Sequence, residues 1–253
     1  MAISTLAAAA RTNIDHWEER IDLACAFRWA VRWNMHEAVA NHFSVAVNED
    51  GSQFLMNPNG RHFSRIKASD LLLIDANDPE TMARHDAPDP TAWALHGGIH
   101  RRLPNSRVLL HVHSKYATVL ASLKDSTLPP IDQNTMRFFG RVAVDGGFDG
   151  MGLGDEAERV ATTMGDKPIL MMGNHGVIVT ATTIAKALDE LYYFERACET
   201  YIEALKTGRE LRITSDAIAQ KTAEQWRDYP NISENHFAAL KDILDDEEPD
   251  YRD

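Results

Sequence analysis

Cysteine is nearly absent: Cys25 and Cys198 are the only two in 253 residues. Two are too few for a disulfide framework, and with no Cys-x-x-Cys pair the chain cannot build a zinc knuckle, so a reducing cytoplasm is the expected compartment. Positive charge is also in deficit. Lys and Arg number 26 against 38 Asp and Glu, a formal net charge of -12; a surface of that average sign repels polyanions, which excludes nucleic acid and anionic membranes as expected partners. No stretch approaches the run of about 20 apolar residues that spans a bilayer. Met1 to Ala10 is alanine-rich but lacks the basic n-region and strongly apolar h-region of a secretory signal. Internal repeats and low-complexity linkers are missing too, and because no Gly-Lys-Ser/Thr follows Asp145-Gly146-Gly147, that segment reads as a turn and not as a phosphate loop.

What remains is ordinary globular composition, 44% hydrophobic and 25% charged. Chains of this length bury roughly 70 to 75% of their unfolded surface, so neither a metal nor a disulfide is needed merely to fold, and a metal site would serve function.

Periodicity predicts a helix from Asn13 to about Trp33, with Leu23, Phe27, Ala30 and Val31 on one face. Phe43, Val45 and Val47 alternate with polar residues, Glu49-Asp50-Gly51 turns the chain, and Gln53 to Met56 returns as the second arm of a hairpin. Asn57-Pro58-Asn59-Gly60 ends that arm, Leu71 to Ile74 is a third strand, and Asp75 to Asp89 is a surface loop. Pro90 suits the first position of a helix over Thr91 to Arg102. Further along, Val108 to Val112, Arg141 to Val144, Pro168 to Met172 and Val177 to Val179 read as strands, while Ser114 to Ser122, Asp155 to Met164 and Thr183 to Leu205 read as helices. Beyond Thr207 the chain is more polar, with a short helix around His236 to Leu244 and an acidic end expected to be simply solvated. Intermixed strands and helices with short connections argue for an α/β domain over residues 1–205 with a mixed sheet, followed by a helical tail over 206–253.

The strongest chemical signal is His111-Val112-His113 at the end of a strand, where alternate residues share a face and two imidazoles can share one cation. His175, in the turn Gly173-Asn174-His175-Gly176, is a third candidate, because glycine on either side lets the backbone turn sharply. Three histidines would leave a position open, as catalytic sites do. A bare His-x-His is also what two surface or hydrogen-bonded rings look like, and spacing alone does not separate the two.

The wider order does more. Asn57-Pro58-Asn59-Gly60, then Leu95-His96-Gly97-Gly98-Ile99-His100, then His111-Val112-His113-Ser114, then Gly173-Asn174-His175-Gly176-Val177 before a long helix resembles the class II aldolase/adducin family over roughly residues 15 to 205. The resemblance implies a three-layer α/β/α fold with a central mixed, mainly antiparallel sheet. It implies that His111, His113 and His175 hold a divalent metal, zinc first and manganese or iron as alternatives, which polarises a substrate carbonyl and stabilises the enediolate of carbon-carbon cleavage. It also implies a homotetramer with the pocket between subunits, to which residues of the tail can contribute.

Two positions depart from the family's sugar-phosphate aldolases. The acid/base glutamate four residues before His96 is Ala92, and the proton-donating tyrosine falls at Gln133, whose amide cannot deliver that proton. Replacement acid/base groups are His96 and Asp132, against a helix-core role for the first and a turn cap for the second. Asn59, Gly60 and Thr91 keep part of an anion cradle, and Arg137 is suited to a substrate carboxylate, although a salt bridge is an equal reading. Tyr192, Tyr193 and Glu195 read as packing, and His42 and His62 as hydrogen-bonded loop histidines. The expected activity is aldol-type cleavage of a small hydroxy or keto acid or carbonyl compound. Metal-dependent decarboxylation of a keto or aromatic acid is the runner-up, ahead of a non-catalytic adducin-like module and an iron oxygenase on the same ligands.

Overall fold

The computed structural model describes residues 14–147 and 156–253. The reading of Met1 to Ala10, and the helix starts at Asn13 and Asp155, lie outside the described residues. Seven strands form one sheet: β1 (His42–Ala46), β2 (Gln53–Met56), β3 (Leu72–Asp75), β4 (Val108–Val112), β5 (Val142–Asp145), β6 (Ile169–Met172) and β7 (Gly176–Ala181). Their spatial order is β3-β2-β1-β4-β7-β6-β5. All neighbours are antiparallel except β5 and β6, which makes the sheet mixed and mainly antiparallel as expected.

The described helices are α1 (Trp17–Arg32), α2 (Pro90–Arg102), α3 (Lys115–Ala121), α4 (Gln133–Arg137), α5 (Glu156–Met164), α6 (Ile184–Lys206), α7 (Asp216–Asp228) and α8 (Ile232–Glu247). Strands β1 and β4 are buried at every position because both faces of the sheet are covered, and alternate residues go to different cores. Val108, Leu110 and Val112 of β4, with Val177 and Val179 of β7, pack against Phe27 of α1, Ala117 of α3, Leu188 of α6 and Leu240 of α8. Leu109 and Ile178 face the other way, against Leu95 and Ile99 of α2 and Val160 and Met164 of α5. These two covered faces make the three layers.

Local chemistry sets the helix ends. Asp89 caps α2 by accepting from the Thr91 and Ala92 amides, with Pro90 at the first position, and Thr183 caps α6 by accepting from Lys186. Two helices were not visible in the pattern. The five residues of α4 are too short for a periodic signal, and α7 buries only Ala219 and Ala223, which leave no bulky stripe. In place of one short tail helix, α8 spans Ile232–Glu247 and sends Phe237, Leu240 and Leu244 into the main core.

The acidic end corrects an expectation. Glu248 binds Arg28 and Arg32, Asp250 binds Arg28, and Asp245 binds Arg252. Tyr251, in the final 3-10 turn, is fully buried. Glu248 and Asp250 fasten that turn to α1 and Asp245 fastens it to α8, so these carboxylates are not merely solvated. Among the described residues no helix is long and apolar enough to cross a membrane.

Candidate metal centre

The pleat of β4 turns Leu109 and His111 to the α2 face of the sheet, and His113 lies one residue beyond the strand end. His111 pairs in register with His42 on β1 and Ile178 on β7, which fixes its height in the sheet. His175 arrives from the tight β6–β7 turn, where its amide bonds to the Met172 carbonyl. The left-handed residue of that turn is Asn174, at φ 57, and not a glycine. The glycines are needed for closeness instead. A Cβ on Gly176 would stand 2.6 Å from the Val112 carbonyl oxygen and 2.8 Å from Cδ2 of His113. Gly176→Ala is therefore expected to push the His113 ring off its position and weaken divalent-ion binding by at least about tenfold. Zinc titration of the variant checks this, and wild-type affinity would show that the contact does not hold the ring.

The three ring centroids form a nearly equilateral triangle with sides of 4.9 Å. One nitrogen from each of the three lies within 4.8 Å of the others. Nδ1 of His111 donates to the Val177 carbonyl at 3.1 Å, which leaves its Nε2 lone pair for the centre. Nε2 of His111 and Nε2 of His113 are 3.1 Å apart. Nitrogens at about 2.0 to 2.1 Å from one ion stand about 2.9 Å apart at right angles and about 3.3 Å apart in a tetrahedron, so the observed spacing fits shared ligation.

Charge state fits as well. Burial, aided by the neighbouring rings, holds His111 well below the usual imidazole pKa. Burial lowers His113, and burial with His113 brings His175 to about 4. All three are neutral at pH 7, the form that binds a metal. Three neutral ligands leave a divalent charge undiminished and coordination positions open, which suits Lewis-acid chemistry on a small oxygen-bearing molecule.

Of the groups behind this triangle, sequence reasoning named His42 and His96 but missed Ser44 and His100, and with them the chain that the four make. Nδ1 of His42 lies 2.7 Å from Nε2 of His96, and the Ser44 hydroxyl lies 2.5 Å from Nδ1 of His96 and 2.7 Å from Nε2 of His100. Nδ1 of His100 reaches the Ser106 carbonyl at 2.8 Å. The His42 ring stacks on His111 with centroids 4.7 Å apart. The alternation that placed Phe43 and Val45 in the core also places His42 and Ser44 on the α2 face; that was the available signal. Glu195, expected as packing, accepts hydrogen bonds from the Ser114 hydroxyl and from the Tyr116 and Ala117 amides. It thereby clamps the start of α3 immediately after His113.

The other expected site residues are dispersed. His96 is fully buried with its ring nitrogens engaged by His42 and Ser44, which is the helix-core alternative and not a direct role at substrate. Asp132 caps α4 by accepting from the Thr135 amide, the turn-cap alternative, and Gln133 is exposed at the first position of that helix. Arg137 is corrected from a substrate contact to a structural ion pair: it is 4% exposed, donates to Asp189 at 2.7 Å, and its guanidinium lies over Tyr193 and Trp226. Asn59 and Gly60 are exposed and line a cavity of about 480 Å³ with His85, Asp86 and Pro90. The Thr91 hydroxyl is taken up by Asp89 at 2.5 Å. Ala92 is buried beside Ala46, Phe54 and Met56.

A roomier cavity, about 620 Å³ and lined by residues that include Leu103, Lys167, Thr180 and Lys186, lies at the opposite ends of β4 and β7. It holds no member of the histidine triangle, so the chemistry is located by the ligand set and not by cavity size.

Comparison with known proteins identifies the family and the fold. Residues 21–202 match the family described as Class II Aldolase and Adducin N-terminal domain. An aldolase II superfamily protein from Pseudomonas syringae superimposes with a TM-score of 0.86 at 30% identity, covering 97% of this chain and 100% of that one. L-fuculose 1-phosphate aldolase from Glaciozyma antarctica PI12 shares the fold, with a TM-score of 0.78 at 22% identity over 94% of this chain and 93% of that one. Decarboxylase NovR of Streptomyces niveus is 25% identical over 215 residues, 82% of this chain and 79% of that protein.

Proposed function

The chain belongs to the class II aldolase and adducin family, and from that premise we propose that it is a divalent-metal-dependent carbon-carbon lyase acting on a small hydroxy or keto acid or carbonyl compound. Aldol-type cleavage is the leading reaction. The observation that carries the proposal is the convergence of three neutral imidazoles, from a strand end and a tight turn, within one cation's reach. A bound ion supplies Lewis-acid polarisation of a carbonyl or carboxylate oxygen. Zinc is the proposed occupant, since it takes imidazole nitrogen readily and leaves a fourth position for substrate; manganese and iron are the alternatives.

The protein's own part is positioning. Val177 orients His111 through its carbonyl, Glu195 fixes the segment after His113, and the Asn174 turn brings His175 across. Decarboxylation is the second reading, and Ala92 favours it: loss of carbon dioxide needs an electron sink and a final protonation, but no carboxylate to take a hydroxyl proton. A relative named as a decarboxylase fits the same reading. The buried, unpaired Cys25 and Cys198 suit a reducing cytoplasm, and a homotetramer with tail residues near a neighbouring pocket completes the proposal.

The deciding experiment loads the protein with zinc, manganese or iron in turn and screens small hydroxy and keto acids, scoring aldehyde against carbon dioxide. Aldehyde release supports the leading reaction and carbon dioxide the second. A protein that takes up no stoichiometric ion, even after soaking, is instead an adducin-like interaction module, and the lyase proposal fails.

A further inference from the structure

We propose that the buried chain His42–His96–Ser44–His100, anchored on the Ser106 carbonyl, is a tautomer relay that presents Nε2 of His42 as an acceptor-only nitrogen beside the ligand histidines. The metal-centred reading says what that nitrogen is for; the tautomer itself does not depend on it.

The direction of the chain follows from its far end. A carbonyl oxygen only accepts, so Nδ1 of His100 carries the proton that reaches Ser106. A neutral His100 then has a bare Nε2, and the Ser44 hydroxyl must donate to it. Ser44 has one hydrogen, so its oxygen accepts from Nδ1–H of His96. Nε2 of His96 is then bare and accepts from Nδ1–H of His42. By elimination His42 keeps its lone pair on Nε2, which has no hydrogen-bond partner among the described residues. Four links thus carry one instruction from a fixed backbone oxygen to the edge of the centre. His96 and His100 are buried within α2, and His42, although stacked on His111, retains 6% exposure.

The location gives the relay its meaning. Ala92 lies in the first turn of α2, and His96 follows it by four residues on the same side of the helix. Where a carboxylate at position 92 would offer an acceptor oxygen, this chain has a methyl group packed on Phe54 and Met56. The next turn supplies His96 instead, which reaches the centre through His42. An acceptor-only nitrogen there receives a hydrogen bond from a substrate hydroxyl and repels a carboxylate or carbonyl oxygen, so it selects hydroxy compounds over their deoxy or oxo counterparts. Ser44, His96 and His100 are positioning residues; His42 alone faces the centre.

The test is spectroscopic and uses the full chain, labelled with nitrogen-15 at histidine, as purified and after loading with zinc. Long-range proton–nitrogen correlations distinguish the two neutral tautomers, with single histidine variants for assignment. His42, His96 and His100 are all expected in the Nδ1–H form, the less favoured one for free histidine. In Ser44→Ala, His100 should stay Nδ1–H because Ser106 still holds it, while His96 and His42 shift to spectra that include Nε2–H. Ser44→Thr, which restores a hydroxyl, should return them. A wild-type His42 carrying its proton on Nε2 would overturn the relay, and so would a His42 signal unmoved in a folded Ser44→Ala. The wild-type spectrum suffices for refutation where that variant does not fold. Failure to take up zinc would end the metal reading and leave the tautomer result standing, so the two failures are distinguishable.

Discussion

Acidification from pH 7 to pH 5 is expected to remove about 4 kcal/mol of folding stability through His42 and His100, with His96 acting in the same direction. Burial, the largest cause in each case, lowers the pKa of His42 to about 3 and of His100 to about 4, and holds His96 well below its ordinary value. Unfolded, each ring takes a proton near pH 6.5; folded, each stays neutral. Below that pH the unfolded chain binds more protons, so the contribution is complete above about 6.5 and is lost as the pH falls toward 4 and 3. Domains typically hold about 5 to 15 kcal/mol in total, so a loss of this size takes a large share of the margin and moves the acid transition up toward about pH 5. The check is the urea midpoint measured at intervals from pH 7.5 to 5. A midpoint that stays level over that range would show that the rings take up protons in the fold as readily as in the unfolded chain. Asp189 acts in a lower window. Burial works against its charge, but the His236 hydrogen bond and the Arg137 charge hold its carboxyl below the usual value, so its stabilisation survives until about pH 4.

His113→Ala is expected to cut affinity for a divalent ion by more than about 100-fold, because loss of a direct ligand exceeds the 10- to 100-fold typical of its supporting groups. The fold should survive. His113 is only partly buried at the end of β4, and the cores on both faces of the sheet close without it. Calorimetric titration with zinc reads the first effect and urea unfolding without metal reads the second. Undiminished binding in the variant would remove His113 from the centre. An equal loss in metal-free stability would mean that the ring serves the fold instead.

These outcomes also show where the sequence was informative. Strands such as Gln53–Met56 and Val108–Val112 were legible to the residue, since apolar runs bounded by turn residues have few other uses. That His111, His113 and His175 come together followed from the order of motifs that resembles the family, since a bare His-x-His does not by itself separate a shared cation from hydrogen-bonded rings. Arg137 was not: its partner Asp189 lies on α6, 52 residues away, and no local pattern reports that the guanidinium is already neutralised. The same holds for His96, whose partners on β1 lie more than 50 residues upstream. Glu195 was hidden by distance too, reaching back 81 residues to Ser114. Contacts of that span depend on how the sheet is assembled, which periodicity does not record.

The pairing of β4 with β1 and β7 has one more consequence. Because these strands are buried on both faces and carry aliphatic side chains on each, greasiness alone barely distinguishes one alignment from its neighbour. A one-residue slip of β4 would turn His111 into the aliphatic core behind Phe27 and strand its ring nitrogens there without partners, while Leu110 or Val112, according to the direction of the slip, took its place opposite His42. The polar side chains of the histidine cluster therefore also proofread the alignment of the sheet, and a chain in which His111, His113 and His175 converge is one whose strands have been threaded correctly.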